Sequence, residues 1–148
     1  MMVLLPSGLT VGLSAQPVKM RQKPDPAKFE LAVSLIKKFE GLHERDNFPY
    51  YGFGHRLLPG ENLSYDMTEA EAEALLRRDL MKRYALFRSY GKDALLLMVL
   101  SYNVGTSALL GYGKRPKSRL LRKLEAGDRD IYREYVSYLS LIHISEPT

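Results

Sequence analysis

The sequence predicts an α+β fold that is mostly helical, with one small hairpin lobe set among the helices. Three observations lead there. Apolar residues recur at helical spacing in several segments separated by glycine and proline. One stretch, Phe48–His55 (FPYYGFGH), has no helical period and alternates aromatics with glycines. Pro49 excludes a helix interior there, so a short hairpin is expected. The run Ala94–Val104 (ALLLMVLSYNV) is apolar on nearly all sides, as a central buried helix is, and falls well short of a membrane span.

The elements follow in order. Residues 1–15 (MMVLLPSGLTVGLSA) are apolar and end in Leu13-Ser14-Ala15, which resembles a signal-peptidase site. They are expected to be a signal peptide, although a basic leader is missing and Pro6 and Gly8 interrupt the apolar part. Export then implies a periplasmic or secreted location. Residues 16–27 read as a proline-containing linker, and 28–138 as the domain. The first domain helix is expected over Ala27–Glu40, from Phe29, Leu31, Ala32, Val33, Leu35, Ile36 and Phe39, with Gly41 as its stop. Pro59-Gly60-Glu61-Asn62 is a turn. Thr68-Glu69-Ala70-Glu71 is a capping box opening a long helix with Ala72, Leu75, Leu76 and Leu80 toward the core. After the buried run, Leu109–Pro116 is a glycine-rich basic loop. Ser118–Ala126 reads as a helix stopped by Gly127. Asp128 suits an N-cap for a last helix over Arg129–Tyr138. Residues 139–148 (LSLIHISEPT) break the pattern. They resemble one reading frame of a transposase adapter used in sequencing libraries, and are expected to be a tail foreign to the domain.

Composition narrows the function classes. The 148 residues suffice for one domain, with 45% hydrophobic and 26% charged residues. The net charge of +5 and a pI near 9.4 suit a polyanionic partner. No nucleic-acid-binding signature accompanies that charge, and no stable membrane insertion is expected. There is no cysteine, which excludes disulfides and thiolate metal sites. The three histidines are unclustered, so neither a metal nor an organic cofactor is implied. A monomer is expected.

Glu40 is the candidate for the chemistry. It is a carboxylate at the C-terminal end of a helix, where the dipole disfavours its charge by about 0.3–1 kcal/mol. Aromatic neighbours in sequence (Phe39, Phe48, Tyr50, Tyr51) would desolvate it further. Both effects favour the protonated form that a general acid needs. A solvated Glu beside a glycine stop, paired with a lysine, fits the same residues.

Taken together, the Glu40-Gly41 pair, the aromatic run and Gly52-Phe53-Gly54-His55 resemble the phage-type lysozymes, or endolysins, of glycoside hydrolase family 24. Further segments follow in the family's order. Tyr65–Glu73 resembles its helix start after the small lobe, Ser101-Tyr102-Asn103-Val104-Gly105 its Ser-Phe-Asn-x-Gly helix end, and Ser118–Asp128 its Ser-x-Leu helix. The resemblance spans about residues 28–138. It implies a lysozyme-like fold whose final helix or helices are missing here. It also implies cleavage of the β-1,4 bond between N-acetylmuramic acid and N-acetylglucosamine in peptidoglycan, with Glu40 as general acid. A partner group is needed, and Asp46 is the expected one, followed by Glu44. His55 is expected to hold the hairpin near the cleft, and Tyr51, Tyr102, Asn103 and Ser118 to bind substrate. The chain departs from the family between Glu40 and His55. That gap is shorter, Tyr50 stands at the position of the family's Thr, and neither Glu44 nor Asp46 has the family spacing. The rival readings are a wall-binding module without catalysis and, from charge and the apolar run, a basic membrane-active helical protein.

Overall fold

The computed structural model describes the backbone of residues 23–145 and the side chains of residues 23–138. The expected signal peptide and residues 16–22 of the linker lie outside the described residues. Helix α1 (Pro26–Glu40) is opened by Asp25, whose side chain accepts from Lys28 N at 3.2 Å, and by Pro26 in its first turn. Gly41 ends it at φ 67°, a conformation that costs any residue with a Cβ. Phe29, Ala32, Val33 and Ile36 enter the core, whereas Leu31, Leu35 and Phe39 are exposed. The second row starts two residues after Phe29, about 200° around the helix, so one helix cannot bury both.

The hairpin pairs β1 (Tyr50–Tyr51) with β2 (His55–Arg56), antiparallel, with Tyr50 opposite Arg56 and Tyr51 opposite His55. Its turn holds Gly52 and Gly54, both at positive φ. Gly52 lies so close to α2 that a Cβ would meet Ala72 Cβ at 3.3 Å. Helix α2 (Glu69–Phe87) has the expected capping box: Thr68 Oγ1 accepts from Glu71 N, and the Glu71 carboxylate accepts from Thr68 N. Its expected core residues Ala72, Leu75, Leu76 and Leu80 are all buried, joined by Tyr84 and Phe87.

A 3-10 segment (Arg88–Asp93) leads into α3 (Ala94–Val104), whose bounds are those the apolar run predicts. Ala94, Leu97, Met98 and Leu100 form the middle of the core with residues of α1 and α2, while Leu96 is exposed. Helix α4 (Thr106–Leu110) buries Leu109. The glycine-rich loop then closes on itself through a Tyr112–Arg115 bridge. Helix α5 (Arg119–Glu125) is capped by Ser118 and adds Leu120 and Leu121 to the core.

The last helix, α6, spans Tyr132–Ser145. Two expectations change there. Asp128 does not cap it; the Asp128 side chain accepts from Asp130 N in a local turn, and helical bonding begins with Tyr135 N donating to Ile131 O. The backbone also stays helical past Tyr138, through seven residues of the stretch expected to be a foreign tail.

Candidate functional site

Glu40 stands where α1, the hairpin turn and α3 meet. A Cβ built on Gly54 would lie 2.8 Å from Glu40 Oε1 and 3.3 Å from the Tyr102 hydroxyl. Only glycine leaves room for the carboxylate and the hydroxyl against this backbone, which has φ 101° at Gly54. Tyr102, near the end of α3, donates to Phe53 O at 2.7 Å and so ties α3 to the hairpin turn. Burial pushes its hydroxyl well above the usual tyrosine range, and the carboxylates of Asp79 and Glu40 add to that. Tyr102 therefore remains a neutral hydroxyl. The Arg83 guanidinium lies 4.9 Å from its ring centre, within cation–π range.

The Glu40 side chain is 32% exposed, so a ligand can reach it. The aromatic shielding expected around it takes a different form. Phe39 and Phe48 are exposed, and Tyr51 is buried in a stack on Tyr65, with ring centres 4.0 Å apart. The Tyr50 ring lies 6.2 Å from that of His43. His43 itself brings Nε2 to 3.3 Å from Glu40 Oε1. Its backbone N donates to Gly52 O at 2.8 Å, which seats it on the hairpin.

His55 is buried between two carboxylates. Nδ1 lies 2.6 Å from Asp79 Oδ2 of α2, and Nε2 lies 2.7 Å from Glu61 Oε1. Glu61 also accepts from Leu58 N at 2.8 Å. The bond with His55 first, then that from Leu58, holds the Glu61 carboxyl below its usual range. His55 thus fastens the hairpin to α2 and to the following turn. Among the described residues its hydrogen bonds go to these two carboxylates and not to Glu40.

The remaining expected site residues are dispersed. Asp46 lies exposed in a single 3-10 turn (Arg45–Asn47), with no hydrogen bond or ion pair among the described residues. Glu44 is exposed too, its backbone N donating to Asn47 Oδ1. Asn103 turns back on its own helix, donating to Val99 O at 3.2 Å. Ser118 uses its hydroxyl to cap α5. Tyr51, inside its stack, presents little surface to a ligand. Of the seven expected residues, the structure therefore brings Glu40 and Tyr102 together, with His55 one residue behind Gly54.

Sequence reasoning missed His43, Asp79 and Glu61. His43 had a signal, being three residues beyond a helix-ending Glu. Asp79 had one as well, since it falls on the core-facing side of α2 beside Leu75, Leu76 and Leu80, where an unpaired acid would be costly. No group of three or more metal-binding side chains occurs among the described residues. Comparison with family models, with curated proteins and with solved structures gave no match.

Chemically, the site offers one solvent-accessible carboxyl with an imidazole at one oxygen and a buried phenol behind it. Such a group can deliver a proton to a ligand atom. A carboxylate alone, without an adjacent nucleophile, is suited to acid or base work.

Proposed function

We propose that this protein is a lysozyme-type glycoside hydrolase acting on peptidoglycan, with Glu40 as its general acid. The observation that carries the reading is the meeting of three segments on one carboxylate. The end of α1, the Gly-x-Gly-His hairpin and the Tyr102-Asn103 end of α3 are the pieces whose sequences resemble the phage-type lysozymes, and Glu40 and Tyr102 converge on Gly54. In this reading Glu40 gives its proton to the glycosidic oxygen. The C–O bond breaks with its electron pair going to that oxygen, and positive charge develops on the sugar ring. A second group on the opposite face must stabilise that charge or activate water. Asp46, exposed and without polar partners among the described residues, is the group assigned to it, with Glu44 next. Tyr102 stands on the α3 side, and export to the periplasm or beyond brings the enzyme to its substrate.

One observation favours a second reading, a wall-binding module without catalysis. Besides Glu40, two acids reach the hairpin, Asp79 and Glu61, and both are committed to His55. The test is release of reducing ends from purified peptidoglycan by the wild-type chain and by Glu40→Gln. Activity in the first and its loss in the second, by at least about a hundredfold, is expected. Activity that survives the substitution would remove Glu40 from its role. Cosedimentation with insoluble wall, without cleavage, would establish the binding module instead.

A further inference from the structure

The Glu40 carboxyl has two oxygens, and only one can usefully carry the catalytic proton. From the surroundings of His43 we infer that this residue is a positioning residue for the acid: its Nε2–H donates to Glu40 Oε1, so the transferable proton resides on Oε2. The inference rests on the glycosidase reading and deepens it.

The geometry is specific about the ring. His43 is clamped at its backbone by the bond to Gly52 O, and its side chain is only 15% exposed. Nδ1 is buried and meets no hydrogen-bond partner among the described residues, whereas Nε2 faces Oε1 at 3.3 Å. A ring proton on Nδ1 would be a buried donor without an acceptor. On Nε2 it meets a carboxyl oxygen, so the Nε2–H tautomer is the one this site supports. With Oε1 already accepting from His43, the carboxyl hydrogen belongs on Oε2.

The consequence for the reaction is direct. When the Oε2–H bond breaks and the proton passes to the leaving oxygen, negative charge appears on Glu40. The Nε2–H···Oε1 bond then becomes charge-assisted and strengthens. His43 neither gains nor loses a proton. It stabilises the transition state more than the ground state, which affects kcat and not binding.

Three proteins test this on purified peptidoglycan: wild type, His43→Ala and His43→Gln. The Ala variant is expected to lose about tenfold to a hundredfold in kcat with KM nearly unchanged. The Gln variant, which keeps an N–H donor on a side chain of similar reach, is expected to recover part of that loss. Equal kcat in all three, or a change in KM alone, would overturn the role. A nitrogen-detected NMR spectrum of the histidine side chains reads the pairing without any activity. The Nε2–H pattern is expected for His43, with a shift on Glu40→Gln. An Nδ1–H pattern, or no response to Glu40→Gln, would overturn it. An inactive wild-type protein would overturn the glycosidase reading and the kinetic role together, while the spectrum would still decide the pairing.

Discussion

A carboxylate bonded to a buried imidazole contributes to stability in a way that depends on pH, and Glu61 beside His55 is that carboxylate here. Glu61 is held below its ordinary value of 4.5, chiefly by its bond with His55. A carboxyl depressed on folding contributes stability above its unfolded value and loses it as pH falls through the folded one. The Glu61 contribution is therefore complete above about pH 4.5 and lost below it. Glu61→Gln is expected to be less stable than wild type at neutral pH, with the gap narrowing as the solution is acidified. Urea melts at several pH values between 3 and 7 check this; a gap constant across that range would count against it. At this scale the sequence was only partly informative. Glu40 and Tyr102 were legible because each stands at a helix end marked by a nearby glycine. The partners of His55 were not, because a contact between residues 55 and 79 leaves no local trace in composition or period.

Elements were more legible than contacts, since caps and stops act within a few residues. The capping box at Thr68 is a case where local chemistry fixes a helix start outright. Replacing Thr68 by Ala removes the acceptor for Glu71 N and is expected to lower stability by about 1 kcal/mol, with the urea dependence of unfolding unchanged. A chemical melt measures both, and a loss well below about 0.5 kcal/mol would show that the cap contributes little. Helix α3 was legible in full because an apolar run bounded by Asp93 and Gly105 has few alternatives. The start of α6 was not. Asp128 has the residue type of a cap, but its carboxylate is taken by the turn to Asp130, and Lys123 from α5 binds Asp130 O and Glu134. The competing interaction is three-dimensional, and residue type alone cannot see it. The exposed row on α1 is a similar case: the helical period showed apolar residues, and only packing showed which of them α2 and α3 cover.

For the whole molecule, charge is the property that bears on the proposed partner, a wall polymer. With a net charge of +5, binding to an anionic wall should weaken as salt rises, because screening shortens the range of these charges from about 10 Å at 0.1 M to about 3 Å at 1 M. Cosedimentation with peptidoglycan across that range is the measurement, and salt-independent binding would point to sugar contacts alone. Among the described residues no helix is long and apolar enough to cross a membrane. The α1–α2–α3 core holds the hairpin through His55 bonded to α2, through Tyr102 of α3 and through Phe53, which is packed in the core itself. The His55 ring closes a loop reaching to Asp79, 24 residues away, in a chain without a single cysteine. A covalent link over such a loop would restrict the unfolded chain by roughly 3.5 kcal/mol of entropy. The His55 link exists only in the folded protein, so it leaves the unfolded chain free. Gly54 lies one residue from that ring, so the floor beneath Glu40 is laid only when residues far apart in the chain have already met.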